Sequence, residues 1–405
     1  MEKRIPQQYK FIIKLGKALH TYGVQSYKIQ SYLKQVANRK GIKGTFMDNP
    51  TWINYVFVEE DEQTYNYIET VPPGDINLGG LAMIVEITNK LLDEEISFVE
   101  ARDMIDEIDT PKKKKNYIIE FLAFVLSGPA FCVILNTNLI SAIASAIACV
   151  FLFFIFNYAR KSDYISSTLE SMVAFTSTIV IGLLSIVFPT INLSLSILAS
   201  IIIFIPGLSI TTALEEIASY NLISGTAKFA GAMVSLFKQF FGVMLGLATL
   251  SLFTEINHVP SPDDIPRWVD PIAILGLVAS LLPIFKVRTK DLFLCIVVGF
   301  ISFYTTFLLE FTGILVSIFI GTLTVVFVSK YFAKLTDSPK MVFLVPGIVM
   351  LVPGSKAFIG LSSIFGTAAV DTPSNMGMQV AFILMGIIGG LLFSGSFMSR
   401  KDHIR

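Results

Sequence analysis

The stretch "FLVPGIVMLVPGSKAFIGL", residues 343–361, decides how this chain is read. It is apolar enough for a membrane helix, yet it carries Pro346-Gly347, Pro353-Gly354 and then Lys356. Proline removes a backbone donor and clashes with the preceding turn. Glycine loosens the helix further. Hydrocarbon offers no partner for the carbonyls freed in this way. A helix broken twice in such a place needs something other than lipid to satisfy it.

The surroundings are those of a membrane protein. Of 405 residues, 53% are hydrophobic and only 15% are charged, with a mean hydropathy of +0.67. That is too little charge for a soluble chain of this length, and the apolar residues fall in long blocks. The net charge is zero, so nothing draws the chain to nucleic acid. Cys132, Cys149 and Cys295 sit inside apolar blocks without metal-ligand spacing, and His20, His258 and His403 are scattered. No metal and no cofactor is expected. The first 30 residues hold no continuous apolar core of signal-peptide type, which points to a cytoplasmic N-terminus.

Residues 1–111 read as a small α+β cytoplasmic domain. Phe11, Ile12, Leu15, Ala18 and Leu19 recur at helical spacing, and Tyr32, Leu33 and Val36 continue the pattern. "TWINYVFVEE" (51–60) and "TYNYIET" (64–70) read as a hairpin. Two more helices follow, the second opened by a Ser97/Glu100 capping box.

Ten apolar spans are expected beyond Lys112–Lys115: 117–135, 139–158, 171–189, 193–208, 229–253, 268–285, 291–309, 311–329, 341–354 and 376–397. With the N-terminus inside, the inner segments carry 15 Lys and Arg and the outer ones two, Arg267 and Lys356. The acidic loop 254–271 then lies outside and divides the spans five and five, giving membrane halves 112–259 and 260–405. The fourth spans carry Pro206-Gly207 and Pro353-Gly354. The fifth carry Gly242-x-x-x-Gly246 and Gly386-x-x-x-Gly390, which permit close helix contact. Five is odd, so equivalent spans enter from opposite sides. The expectation is a polytopic α-helical protein built as two inverted five-helix repeats. Interrupted helices at matching positions in inverted halves point to a transporter binding site.

At these residues the sequence resembles the threonine/serine exporter family over nearly its whole length. The carrying stretches are "LGKALHTYGVQSYKIQSYLKQVANRKGI", "DINLGGLAMIVEITNKLLDEEISFVEARDMIDEI", "IPGLSITTALEEIASYNLISGTAKFAGAM" and "SPKMVFLVPGIVMLVPGSKAFIGL". Gln30 stands where that family is expected to have a glutamate. The resemblance implies a multi-pass cell-membrane protein that exports small hydroxylated amino acids by antiport with protons. Two-chain relatives are implicated in dicarboxylate export, so a succinate-like solute stays open.

The candidate solute site comprises Pro206, Gly207, Ser209, Thr211, Thr212, Pro346, Gly347, Pro353, Gly354, Ser355 and Lys356. The hydroxyls either hydrogen-bond a solute or bond their own helix. Lys356 either holds a carboxylate or snorkels to the interface. Glu215, Glu216, Glu170 and Glu310 are the candidates for proton coupling. Glu215 and Glu216 read equally as a solvated helix start. Nothing resembles a nucleotide-binding loop, a nucleophile elbow or a zinc-protease helix, which argues against an ATP-driven pump and against an enzyme. The expected partners are a small solute, protons and lipid, with a homo-oligomer left open. The alternative from another class is a membrane sensor.

Overall fold

The computed structural model describes residues 6–58, 63–109, 117–253, 265–352 and 376–396. Two amphipathic helices come first, α1 (Gln7–Thr21) and α2 (Ser26–Arg39). They bury Phe11, Ile12, Leu15 and Leu19 on one and Ile29, Leu33 and Val36 on the other, each row at helical spacing. An antiparallel meander follows in the order β1 (Lys43–Asn49), β2 (Trp52–Val58), β3 (Thr64–Thr70). β2 and β3 are the expected hairpin, with Tyr55 opposite Tyr67. β1, "KGTFMDN", is too polar to signal itself. It is recruited by the turn at Pro50-Thr51, which sets Asn49 opposite Trp52.

Helices α3 (Leu78–Leu92) and α4 (Phe98–Asp109) complete this N-terminal unit. The capping box at α4 forms: Ser97 N donates to Glu100 Oε2 (2.8 Å) and Glu100 N to Ser97 Oγ (3.2 Å). Gly16 lets α1 lie close to the sheet. A side chain there would overlap Tyr55, whose hydroxyl donates to Ile13 O at 2.9 Å.

The remainder is a helical membrane domain. Its first half holds α5 (Tyr117–Ile134), α6 (Leu139–Ala159), the short α7 (Asp163–Ser166), α8 (Leu169–Val187), α9 (Leu193–Ser200), α10 (Gly207–Ala218) and α11 (Leu222–Ser251). Its second holds α12 (Asp270–Ile284), α13 (Leu292–Leu308), α14 (Ile314–Thr336), α15 (Met341–Val349) and α16 (Met376–Ser396). Among the described residues seven helices are long and apolar enough to cross a membrane. The count is eight if Leu193–Ser200 and the helical stretch Ile202–Ala218, bent by 55° at the break between them, form one span. The expected span 193–208 therefore does not stop at its Pro-Gly, since Pro206 precedes a second helix running to Ala218. The expected spans 291–309 and 341–354 fall on the shorter helices α13 (17 residues) and α15 (9 residues).

One packing arrangement occurs twice. α8 runs parallel to α11, and α14 runs parallel to α16. A side chain on Gly242 would overlap Ser171 O and Ala174, and one on Gly246 would overlap Thr178. In the second pair, Gly386 abuts Leu315 O and Ile318, and Gly390 abuts Thr322. Each second-half position lies 144 residues beyond its counterpart. α11 begins at the N-terminal unit, where Ser224 Oγ meets Ser26 Oγ (2.7 Å). α14 ends there, because Ser338 is bonded to Arg288, which also reaches Glu86 of α3. The two pairs thus run in opposite directions relative to that unit.

Candidate functional site

The helix breaks at Pro206-Gly207 and Pro346-Gly347 receive donors from neighbouring helices, while Pro353-Gly354, the expected counterpart of Pro206-Gly207, lies outside the described residues. In the first half α9 ends at Ser200, a 3₁₀ turn covers Ile202–Phe204, and Pro206 caps α10. Two carbonyls around this break receive side-chain donors. Gln239 Nε2, from α11, donates to Phe204 O at 2.7 Å, and the Cys149 thiol, from α6, donates to Ser200 O at 3.6 Å. In the second half Pro346 has no N–H to give to Val342 O. The Cys295 thiol of α13 donates to that oxygen instead, at 3.4 Å. Leu351 N turns to Ile348 O, and Gly347 O takes the Ser302 hydroxyl at 2.7 Å.

The two breaks adjoin. α10 packs against α15 and α16. Leu208 lies against the apolar cluster that includes Ile348, Leu351, Ile383 and Ile387. Met350 and Leu384 pack on the cluster that includes Ile205 and Ile210. Beside the first break Gln239 is fully buried, and its Oε1 has no partner among the described residues. An unpaired buried acceptor costs about 1–3 kcal/mol, so it marks a place where a donor is wanted.

The other expected site residues divide into groups. Thr211 Oγ1 donates to Gly207 O (3.1 Å) and Thr212 Oγ1 to Ser209 O (3.2 Å), so both hydroxyls bond their own helix. Ser209 is exposed. Gly347 is buried, and a side chain there would overlap Val325 and Val298. Pro353, Gly354, Ser355 and Lys356 lie outside the described residues. Glu170 accepts from Ser235 Oγ (3.3 Å) and pairs with Lys238 Nζ (3.7 Å), which also donates to Ser167 O. Glu310 is exposed in the turn before α14. Glu215 and Glu216 are buried at the far end of α10, held by residues 25–28 of the N-terminal unit and by Lys228.

Gln239, Ser302, Cys149 and Cys295 were not among the expected site residues. Gln239 had a readable signal, a carboxamide next to Lys238 inside an apolar span. The hydroxyl and thiols look like ordinary small packing residues until their partners are known. No group of three metal-ligating side chains occurs among the described residues.

Comparison with known proteins adds the class. The family model described as "Putative threonine/serine exporter" matches residues 10–250, and "Threonine/Serine exporter, ThrE" matches 272–397. Pheromone-regulated membrane protein 10 of Eremothecium gossypii is 21% identical over 87% of this chain and 48% of its own length. An uncharacterized protein of Schizosaccharomyces pombe is 26% identical over 63% of this chain and 34% of its own. The chain thus spans about half or less of the length of these relatives. No solved structure matches it.

Proposed function

The chain belongs to the threonine/serine exporter family, a family of membrane exporters rather than enzymes, and from that premise we propose that it is a secondary transporter. It exports small polar metabolites, threonine or serine first, across the cell membrane in exchange for protons. The solute binds where the two breaks adjoin.

The observation that carries this reading is the unpartnered Gln239 Oε1 at the first break. It accepts hydrogen bonds and cannot give them. A zwitterionic hydroxy amino acid brings an ammonium and a hydroxyl, which are donors. An ionised dicarboxylate brings acceptors alone. The site therefore favours the amino acid over a succinate-like anion. Small reorientations at the breaks open and close the path as the two halves rock.

The architecture supports ten crossings in two inverted halves. The 144-residue correspondence of α8/α11 with α14/α16, and their opposite directions, fit that arrangement. α13 and α15 then complete the crossings. The turn at Lys286–Asp291 meets the N-terminal unit through Asp75 and Glu86, and the turn at Ser338 is bonded to its Arg288. These two turns are rich in Lys and Arg, which supports a cytoplasmic N-terminal unit and cytoplasmic termini.

The test is efflux from liposomes holding the purified protein and loaded separately with threonine, serine or succinate under imposed pH gradients. Threonine and serine should leave, faster when protons enter in exchange. Efflux of succinate alone would favour the dicarboxylate alternative. No efflux of any of the three would favour the sensor.

A further inference from the structure

The N-terminal unit holds the membrane domain at two points, and each is the start of one of its helices. The two helix starts share a corner, where Asp75 N donates to Thr21 O (3.1 Å) and Asn77 N to Tyr22 O (3.4 Å). The first N–H groups of a helix have no partner within it and carry a partial positive charge. α2 has no side-chain cap of its own. Ser26 N donates instead to Glu216 Oε1 of the first membrane half, at 2.8 Å. Lys228 Nζ reaches the same oxygen at 2.6 Å. Glu215 receives Tyr27 OH (2.6 Å), Lys28 Nζ (3.2 Å) and Gln25 Nε2 (3.3 Å). Burial, then the Glu215 charge, pushes the Tyr27 hydroxyl far above its ordinary titration range, so it remains a donor.

The second point is backbone to backbone. Leu78 N and Gly79 N, the first two amides of α3, donate to Phe285 O and Lys286 O just past the end of α12 (3.0 and 3.1 Å). The orphan donors of one helix start meet carbonyls beyond the end of another. Gly79 is needed there because a side chain would overlap Lys286 O. Arg288 braces the contact, reaching Glu86 (3.5 Å), Asp291 (3.0 Å) and Ser338 (2.9 Å).

We propose that the N-terminal unit is a two-point clamp that ties the two membrane halves together on its side, and that each transport cycle requires the first-half anchor to open. This rests on the transporter reading above, in which the halves move against each other. The anchors differ in a way that selects which one yields. At the first, two carboxylates are desolvated, and Glu216 Oε2 and Gln25 Oε1 are buried without partners among the described residues. Such a contact is close to balance with its opened, hydrated form. At the second, the described donors and acceptors are matched. The first anchor is also coupled to the site, since Glu215 and Glu216 end the same helix, α10, that Gly207 begins in the break. Opening the anchor frees α10 to reorient.

Ser26 Oγ and Ser224 Oγ are 2.7 Å apart across this anchor. Ser26→Cys with Ser224→Cys would close it with a reducible disulfide. Cys132, Cys149 and Cys295 are buried and offer little background. In proteoliposomes the oxidised double variant should lose at least about tenfold of its threonine efflux and regain it on reduction. Equal rates in the oxidised and reduced forms would overturn the clamp.

A second readout needs no solute. Ser224 is 2% exposed, so Ser224→Cys alone should react with maleimide only through opening. Adding Glu216→Gln, which removes the charge at the α2 start, should speed that labelling several-fold. Unchanged labelling would overturn the clamp even if threonine proved to be the wrong solute. Absent efflux with accelerated labelling would count against the transporter reading alone.

Discussion

The two breaks solve one problem in different ways. In the second half Gly347 O is met directly by the short Ser302 side chain, and Gly347 itself is wedged against Val325 and Val298. Val342 O is likewise met by the Cys295 thiol. In the first half Phe204 O is met by the longer Gln239, which spends one end of its amide on the backbone and keeps an unpaired oxygen. The chain also bends there, Leu193–Ser200 and the helical stretch Ile202–Ala218 meeting at 55°, whereas Pro346 sits inside the single helix α15. The second break is a sealed kink on a helix that packs against α3. The first is a polar joint with capacity to spare, tied through the carboxylates of α10 to the start of α2. The difference teaches that two Pro-Gly pairs in adjoining helices need not perform the same task.

The largest effect expected from this contrast is at Gln239. Gln239→Met keeps the volume and removes both the cap and the acceptor. Losing a hydrogen bond to a charged solute group is worth about 1.5–3 kcal/mol, so kcat/KM for threonine should fall about 10- to 100-fold. Ser302→Ala should act on stability instead, leaving Gly347 O unpaired at a cost of about 1–3 kcal/mol. A denaturation midpoint measured beside the apparent KM separates the two. If both variants changed KM equally, the contrast between joint and kink would be lost.

Next come the helix pairs that occur twice. Gly246→Leu and Gly390→Leu insert the same bulk against Thr178 and Thr322, so each should cost about 1–3 kcal/mol or more, and similarly. A large cost in one half only would break the 144-residue correspondence. The smallest effect lies in the N-terminal unit. The Ser97 backbone amide holds Glu100 below its ordinary carboxylate value of 4.5. A lowered value means that the capping contribution is present above 4.5 and is lost as pH falls through the lower folded value. Glu100→Gln should remove that acid dependence, read as helix content against pH.

Much of this was legible in the sequence. Hydrophobic length gave the long spans, and period-2 alternation gave the β2–β3 hairpin. The Gly-x-x-x-Gly pairs marked the close helix contacts because only a missing side chain permits them. β1 was illegible because a turn recruits it rather than its own pattern. The extent of α10 was illegible because a proline signals a break and says nothing about what resumes after it. Glu215 and Glu216 illustrate the deeper limit. Two carboxylates near a membrane break suggest proton or solute chemistry, but their partners come from residues 25–28, almost 190 positions earlier. Local spacing carries no information about such a contact.

The most direct test is to restore the helix at the polar joint. Pro206→Ala with Gly207→Ala replaces the proline that caps α10 and the glycine that begins it, and favours a helix running back through the 3₁₀ turn Ile202–Phe204. Threonine efflux from proteoliposomes under an imposed pH gradient should then vanish, while the protein is still made and remains monodisperse. Efflux at the wild-type rate would contradict the account, because the break would then be a kink with no part in moving the solute.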